Sequence, residues 1–203
     1  LIGCAVTTGV GAVLNTAKVE PGSSVVVFGC GGVGISIIQG AVVAGAAKII
    51  AVDLDEGKLE MAKNFGATHT LKAHEKVAKE VKGLTDGRGA DFSFEAIGIG
   101  AVVKQAYSAT RNGGKCTVVG MGKIDDKITV DPFTFPLFAK TLCGCMYGSC
   151  NPSVDFPKML GLYQAGKLDL DGMITKTYTI DEAPQAFEDL MSGENTRGVI
   201  VYD

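Results

Sequence analysis

Residues 29–34 read Gly-Cys-Gly-Gly-Val-Gly and directly follow the β-branched run Ser24–Phe28. Three of these glycines have separate uses. Gly29 permits a tight turn, Gly31 lets bare backbone approach a charged group, and Gly34 lets a following helix pack closely on the strand. Gly32 and Val33 open that helix, and its free N–H groups and positive dipole end suit a pyrophosphate. Asp53 closes the next β-branched run, 19 residues after Gly34. That is close to the ~20 expected of an acid accepting hydrogen bonds from ribose hydroxyls. An acid there also repels a 2′-phosphate, so the pattern favours NAD over NADP. Two other readings use the same residues. Glycines that only close a tight turn give this string, and S-adenosylmethionine sites share the turn and the acid.

Such a turn works only if strands and helices hold it in place. β-Branched or apolar runs recur at Ser24–Phe28, Lys48–Val52, Ala67–Leu71, Asp91–Glu95, Lys115–Val119 and Thr141–Met146. The gaps between them are 14 to 21 residues long, enough for the helical crossover that parallel neighbours require. Most of these runs are continuously apolar, as expected of a sheet covered on both faces. Gly45 and Gly66 mark helix ends before the second and third strands, and Asn112-Gly113-Gly114 is expected to end the helix starting near Gly100. The helix Val33–Gly45 is apolar nearly all round and so reads as buried. Lys72, Lys76, Lys79 and Lys82 recur at helical spacing with Glu75 and Glu80 between them, a solvated face with pairs such as Glu75/Lys79. The fold class that follows is α/β, a doubly wound parallel sheet of six strands in the Rossmann manner.

After Gly148 the alternation stops. A helix from Ser153 to Ala165, an irregular stretch from Leu168 to Thr179, a capped helix from Asp181 to Met191 and a strand from Thr196 to Tyr202 are expected. They read as part of a second lobe, giving a Rossmann domain over 6–147 and a partial lobe over 1–5 and 148–203. The chain starts in mid-pattern at Leu1, which suggests an excised piece.

Composition excludes several partners. The 203 residues carry 46% hydrophobic side chains and a net charge of −3. A basic footprint for nucleic acid is missing. Residues 25–47 are uncharged for 23 positions, long enough for a bilayer. Six of those 23 are glycine, four of them between Gly29 and Gly34, and these break a spanning helix. The six cysteines lack C-x-x-C pairing, so a zinc ribbon is not expected and reduced thiols in a cytoplasmic setting are.

On spacing alone Cys4 is a buried thiol. Leu1-Ile2-Gly3-Cys4-Ala5-Val6-Thr7-Thr8-Gly9, the run from Val25 to Gly34, Ile50-Ala51-Val52-Asp53, Asp91-Phe92-Ser93-Phe94-Glu95-Ala96-Ile97-Gly98 and Gly193-Glu194-Asn195-Thr196-Arg197-Gly198 together change that. In this order the sequence resembles the zinc-dependent medium-chain alcohol dehydrogenases along its whole length, with the class III, formaldehyde dehydrogenase-like branch nearest. The resemblance implies hydride transfer between an alcohol, or a thiol hemiacetal, and NAD. It implies that Cys4 is one ligand of the catalytic zinc and that Thr8 packs on the nicotinamide with Val33 behind it. Lys58 would stand near Asp53 at the adenosine ribose. Ile97, Val119 and Met121 would line the cofactor cleft, and Arg197 would contact the pyrophosphate.

The departures are as informative. The family's second cysteine and histidine ligands have no counterpart here, and His69 and His74 fall away from the expected site. Cys143, Cys145 and Cys150 do not reproduce the structural-zinc spacing. The expectation is therefore cofactor binding without turnover by this chain. Two alternatives stay open: a zinc-independent quinone or enoyl reductase of the same superfamily, and a non-catalytic NAD-sensing module. Prolines within Val130–Phe138 suit a sheet edge, and in the family that region pairs across a homodimer or homotetramer contact.

Overall fold

The computed structural model describes residues 1–192 and 197–202. Chain order runs through β1 (Ser24–Phe28), α2 (Gly32–Val43), β2 (Lys48–Asp53), α3 (Glu56–Asn64), β3 (His69–Lys72) and α4 (Val77–Leu84). It continues with β4 (Ala90–Glu95), α5 (Gly100–Ala109), β5 (Thr110–Val118), a short α6 (Thr134–Leu137) and β6 (Thr141–Gly144). Ahead of β1 lies α1 (Thr7–Gly11), flanked by π-helical turns at Ile2–Val6 and Ala12–Ala17.

The six strands form one sheet in the order β3-β2-β1-β4-β5-β6, with every pairing parallel. After β3 the chain returns to the other side of β1, so strand order reverses between β1 and β4. Open α/β sheets bind ligands outside the carboxyl ends of their strands at such a reversal. The glycine turn after Phe28 sits there.

Alternation along β1 shows why both faces are dry. Val25 and Val27 pack with Ile35, Ile37, Ile38, Ile49 and Phe94 on one side. Val26 and Phe28 pack with Ile50, Val52, Val77, Val81 and Ala106 on the other. In α2, Gly34 to Ala41 are all buried, including the polar Gln39. Its amide is satisfied from both ends, Nε2 donating to the Asp169 carbonyl (3.0 Å) and Oε1 accepting from the Asp169 N–H (2.7 Å).

Several details differ from the sequence reading. The helix begun at Gly100 ends at Ala109, not at Asn112. β5 starts at once, and Asn112-Gly113-Gly114 forms an irregularity in it: pairing shifts from Ala90↔Thr110 to Phe92↔Lys115. β3 begins at His69 because the Ala67 N–H turns back to the Ala62 carbonyl and closes α3. β6 ends at Gly144, since Tyr147, Gly148 and Ser149 all take positive φ (52°, 67° and 50°). Glu75 precedes the start of α4 and makes no pair with Lys79; Glu80 meets His74 instead.

The final elements leave the main sheet. α7 (Pro152–Gln164) starts at an Asn151 cap that accepts the Ser153 N–H. β7 (Lys176–Tyr178), within the stretch expected to be irregular, pairs in parallel with β8 (Gly198–Ile200) around α8 (Ala183–Ser192). A capping box between Thr179 and Glu182 precedes α8. Thr196, the expected start of the last strand, lies outside the described residues. Among the described residues no helix is long and apolar enough to cross a membrane. The uncharged stretch 25–47 is divided among β1, the glycine turn and α2.

At the amino ends of the strands one ion pair ties β1, β4 and β5 together. Asp91 accepts the Ser24 N–H (2.8 Å) and hydroxyl (2.6 Å) and is bridged by Arg111. Burial would raise its pKa, but the Ser24 and Arg111 hydrogen bonds win and hold it at about 2. A depressed carboxylate pKa contributes stability that is complete above the unfolded value of 3.8 and is lost as pH falls through 2. Urea unfolding of wild type and Asp91→Asn should therefore differ clearly at pH 6 and converge towards pH 2. A gap that does not depend on pH would contradict this account.

Candidate functional site

At the carboxyl end of β1, Gly29 takes φ +94° and donates its N–H to the Val52 carbonyl (2.8 Å). A Cβ at Gly34 would lie 1.8 Å from the Gly29 carbonyl oxygen. Helix α2 can therefore start this close to the strand only because residue 34 has no side chain. Gly31 is the N-cap of α2, and no side chain caps the helix. The N–H groups of Gly32 and Val33, in its first turn, lie too early to find intrahelical acceptors. A Cβ at Gly31 would meet nothing within 4 Å, so the space in front of the turn is open. Open backbone donors at a positive dipole end are an anion site.

Asp53 joins this turn directly. Its Oδ2 accepts the Cys30 N–H (2.7 Å) and its Oδ1 accepts the Asp55 N–H (3.0 Å). The carboxylate is thus fixed beside the glycines, with lone pairs left over for hydroxyl donors. Lys58 lies in the first turn of α3, its N–H on Asp55 Oδ1 (2.9 Å), and its charge acts on the Cys30 thiol. That thiol is pushed up to about 12, first by burial and then by the Asp53 charge. Cys30 therefore stays protonated and inert as part of the packing.

The loops after β4 and β5 form the adjoining wall. A Cβ at Gly29 would touch Ile97 Cγ1 at 2.5 Å, and one at Gly98 would lie 2.5 Å from the Met121 carbonyl carbon. The Val119 N–H bonds the Glu95 carbonyl (2.8 Å), and Met121 is 82% exposed. Two residues beyond the sequence reading belong here. Leu54, beside Asp53, is 73% exposed; its signal was a large aliphatic residue straight after the acid. Glu95 is fully buried at the end of β4, where Oε1 accepts the Ile97 (2.9 Å) and Gly98 (2.7 Å) N–H groups and shapes their turn. Its signal was a charge closing an apolar strand.

Helix α1 docks on the first turns of α2. A Cβ at Gly9 would stand 2.4 Å from Ser36 Cβ and 2.6 Å from the Val33 carbonyl oxygen. This brings the half-buried Thr8 next to Val33. The 147–150 turn clamps α1 from the other side: Tyr147 Oη donates to the Gly3 carbonyl (2.8 Å) and Asn15 Nδ2 to Cys150 Sγ (3.2 Å).

Cys4 is exposed, not buried as its spacing alone suggested. Catalytic zinc requires three protein ligands, and among the described residues no three His, Cys, Asp or Glu side chains stand close enough to hold a metal. The donors present therefore do not make a zinc site. Arg197 belongs to the small β7–β8 unit, where its N–H meets Thr175 Oγ1 (3.0 Å); among the described residues no hydrogen bond or ion pair joins it to the glycine turn. Gly193, Glu194, Asn195 and Thr196 lie outside the described residues.

The two key glycines should separate cleanly. Gly34→Ala should lower folding stability by about 3 kcal/mol or more, because the new methyl meets backbone. Gly31→Ala should stay within about 1 kcal/mol, since its site is open and its backbone is ordinary for alanine. Urea midpoints check this, and equal losses would contradict the close-approach argument.

Comparison with known proteins agrees with this geometry. Residues 32–165 match the family described as zinc-binding dehydrogenase. The chain is 39% identical over 209 residues to an S-(hydroxymethyl)glutathione dehydrogenase of Paracoccus denitrificans, covering 99% of this chain and 56% of that protein. It is 38% identical to an alcohol dehydrogenase B of Mycobacterium tuberculosis, covering 100% of this chain and 55% of that one. A crystal structure of benzyl alcohol dehydrogenase from Acinetobacter calcoaceticus superposes with a TM-score of 0.94 at 36% identity, over 99% of this chain and 56% of that one. The chain thus spans about half the length of the relatives it matches. With a Rossmann sheet, a bare glycine turn at its reversal point and this likeness along its length, the chain belongs to the zinc-binding dehydrogenase family.

Proposed function

We propose that this chain is the NAD(H)-binding part of an alcohol dehydrogenase. The whole protein would move a hydride between NAD and an alcohol or a thiol hemiacetal. The observation that carries this reading is the uncapped start of α2, held open beside the fixed Asp53 carboxylate. The Gly31, Gly32 and Val33 backbone would take the pyrophosphate, with Gly29 and Gly34 shaping the turn. Asp53 would take the adenosine ribose hydroxyls, with Lys58 close by, and a 2′-phosphate would meet its charge. The exposed Leu54 and Ile97 would flank the adenine, while Val119 and Met121 would line the cleft towards the nicotinamide. Thr8 would lie against that ring, backed by Val33. Arg197 would add a guanidinium to the pyrophosphate, a role suited to its planar fork.

Bound there, the nicotinamide would donate or accept the hydride. With Cys4 as the one zinc ligand that the resemblance assigns to it, this chain would bind the dinucleotide without oxidising alcohols. The residues 6–147 would form the cofactor domain, and 1–5 with 148–203 would belong to a substrate lobe. The names of the relatives, an S-(hydroxymethyl)glutathione dehydrogenase among them, support alcohols or thiol adducts of aldehydes as the substrate class.

Self-association fits the same reading. β6 is an edge strand, and next to it Phe133 (74%) and Leu137 (62%) are exposed. A homodimer or homotetramer through Val130–Phe138 would cover them. Sedimentation should then show a dimer or larger at micromolar concentration and a monomer for Leu137→Glu. Monomers throughout would count against it.

Calorimetric titration tests the cofactor assignment. NADH should bind at least about tenfold more tightly than NADPH, and Asp53→Asn should narrow that gap. Equal binding of both by the wild type would overturn the role of Asp53 and favour the zinc-independent reductase reading.

A further inference from the structure

At the opposite, amino-terminal ends of the strands a second cavity of about 280 Å³ opens between α4, α5, the 128–138 segment and the start of β6. It lies near the lower end of the ~300–1,000 Å³ typical of small-molecule sites. Its walls are mostly apolar, with Val103, Ile128, Val130, Phe138 and Leu142. Its polar groups are unbalanced. Lys82, Lys104 and Lys140 all line it, against the single acid Asp131, whose Oδ1 is already taken by the Phe133 N–H (2.8 Å). None of the three lysines has a carboxylate partner among the described residues.

The setting of the lysines points to a missing guest. Lys140 is half-buried, its ammonium 3.0 Å from the Tyr107 carbonyl and 4.9 Å from the Tyr107 ring centroid. Burial and then the Lys82 charge lower its pKa. Lys82 and Lys140 thus repel one another beside an apolar space that sets three lysines against one acid.

We propose that this cavity binds a small carboxylate with an apolar body, such as an aryl carboxylate. The anionic end would be held by Lys140, Lys82 and Lys104, and the body by Val103, Ile128 and Phe138. The apolar walls favour a carboxylate of this kind over a bare inorganic anion. The site is separate from the glycine turn and does not depend on the cofactor assignment.

Fluorine NMR with 4-fluorobenzoate tests this on the intact chain. Binding should be saturable and should weaken about tenfold or more in Lys140→Gln and in Lys82→Gln. Lys104→Gln, at an exposed position, gives a third variant that should fold normally and also bind more weakly. Excess NADH should leave the benzoate affinity unchanged. Binding that all three substitutions leave intact would overturn the proposal, as would displacement by NADH. Equal binding of neutral 4-fluorobenzyl alcohol would remove the anionic requirement and overturn it as well. Displacement by inorganic phosphate at matching concentration would overturn the carboxylate class.

Discussion

The approach of Gly34 to the Gly29 carbonyl sets the geometry on which the site depends. A methyl group at residue 34 would collide with that oxygen at 1.8 Å, so the start of α2 would have to move away from β1. With hydrogen there instead, the helix starts hard against the strand and its first N–H groups face outward from the sheet. Gly31 caps the helix with no side chain, so no serine or aspartate occupies those donors as in an ordinary N-terminus. An end left bare in this way loses a stabilising cap and gains an anion site. The Cys30 amide is the exception, taken by Asp53, and that one bond links the acid to the turn it serves.

Around this contact the fold stacks rigid layers. The parallel sheet is buried on both faces, and α1 presses Gly9 onto α2 where Val33 begins. The wall opposite is made by two loops whose backbones nearly touch: a Cβ at Gly120 would lie 2.1 Å from the Gly98 nitrogen. Glu95 fixes one of those loops from within the core by holding two of its amides. Its second carboxylate oxygen is buried and has no partner among the described residues, an expensive arrangement in a core. The loops after β4 and β5 are thus set by polar groups below them as much as by the residues that line the cleft.

Much of this could be read from the sequence, and the reasons are local. β1 matches its expected bounds because a run of β-branched residues between a turn and a glycine string has no competing helical pattern. The glycine turn and Asp53 carry their own spacing, so their juxtaposition was legible as well. The failures arose where distant partners decide. Asn112-Gly113-Gly114 looked like a helix stop, but Arg111 is drawn to Asp91, 20 positions away, and the strand starts early with an irregular register. The left-handed turn at 147–149 was invisible because its cause is α1, which leaves no room for a side chain at Gly148: a Cβ there would lie 2.4 Å from the Thr7 carbonyl oxygen. Cys4 reads as apolar from its neighbours yet is exposed, since helical periodicity turns it away from Ala5 and Val6. Glu95 and Leu54 belong to no spacing rule; only the fold shows what each one faces.

The central claim is that the uncapped start of α2 receives the cofactor pyrophosphate. Amide chemical-shift mapping with saturating NADH addresses it most directly. The account predicts that the largest backbone shifts fall on Gly31, Gly32 and Val33, with smaller changes at the Cys30 amide already held by Asp53. Shifts centred elsewhere, with the Gly31–Val33 amides unmoved, would contradict it.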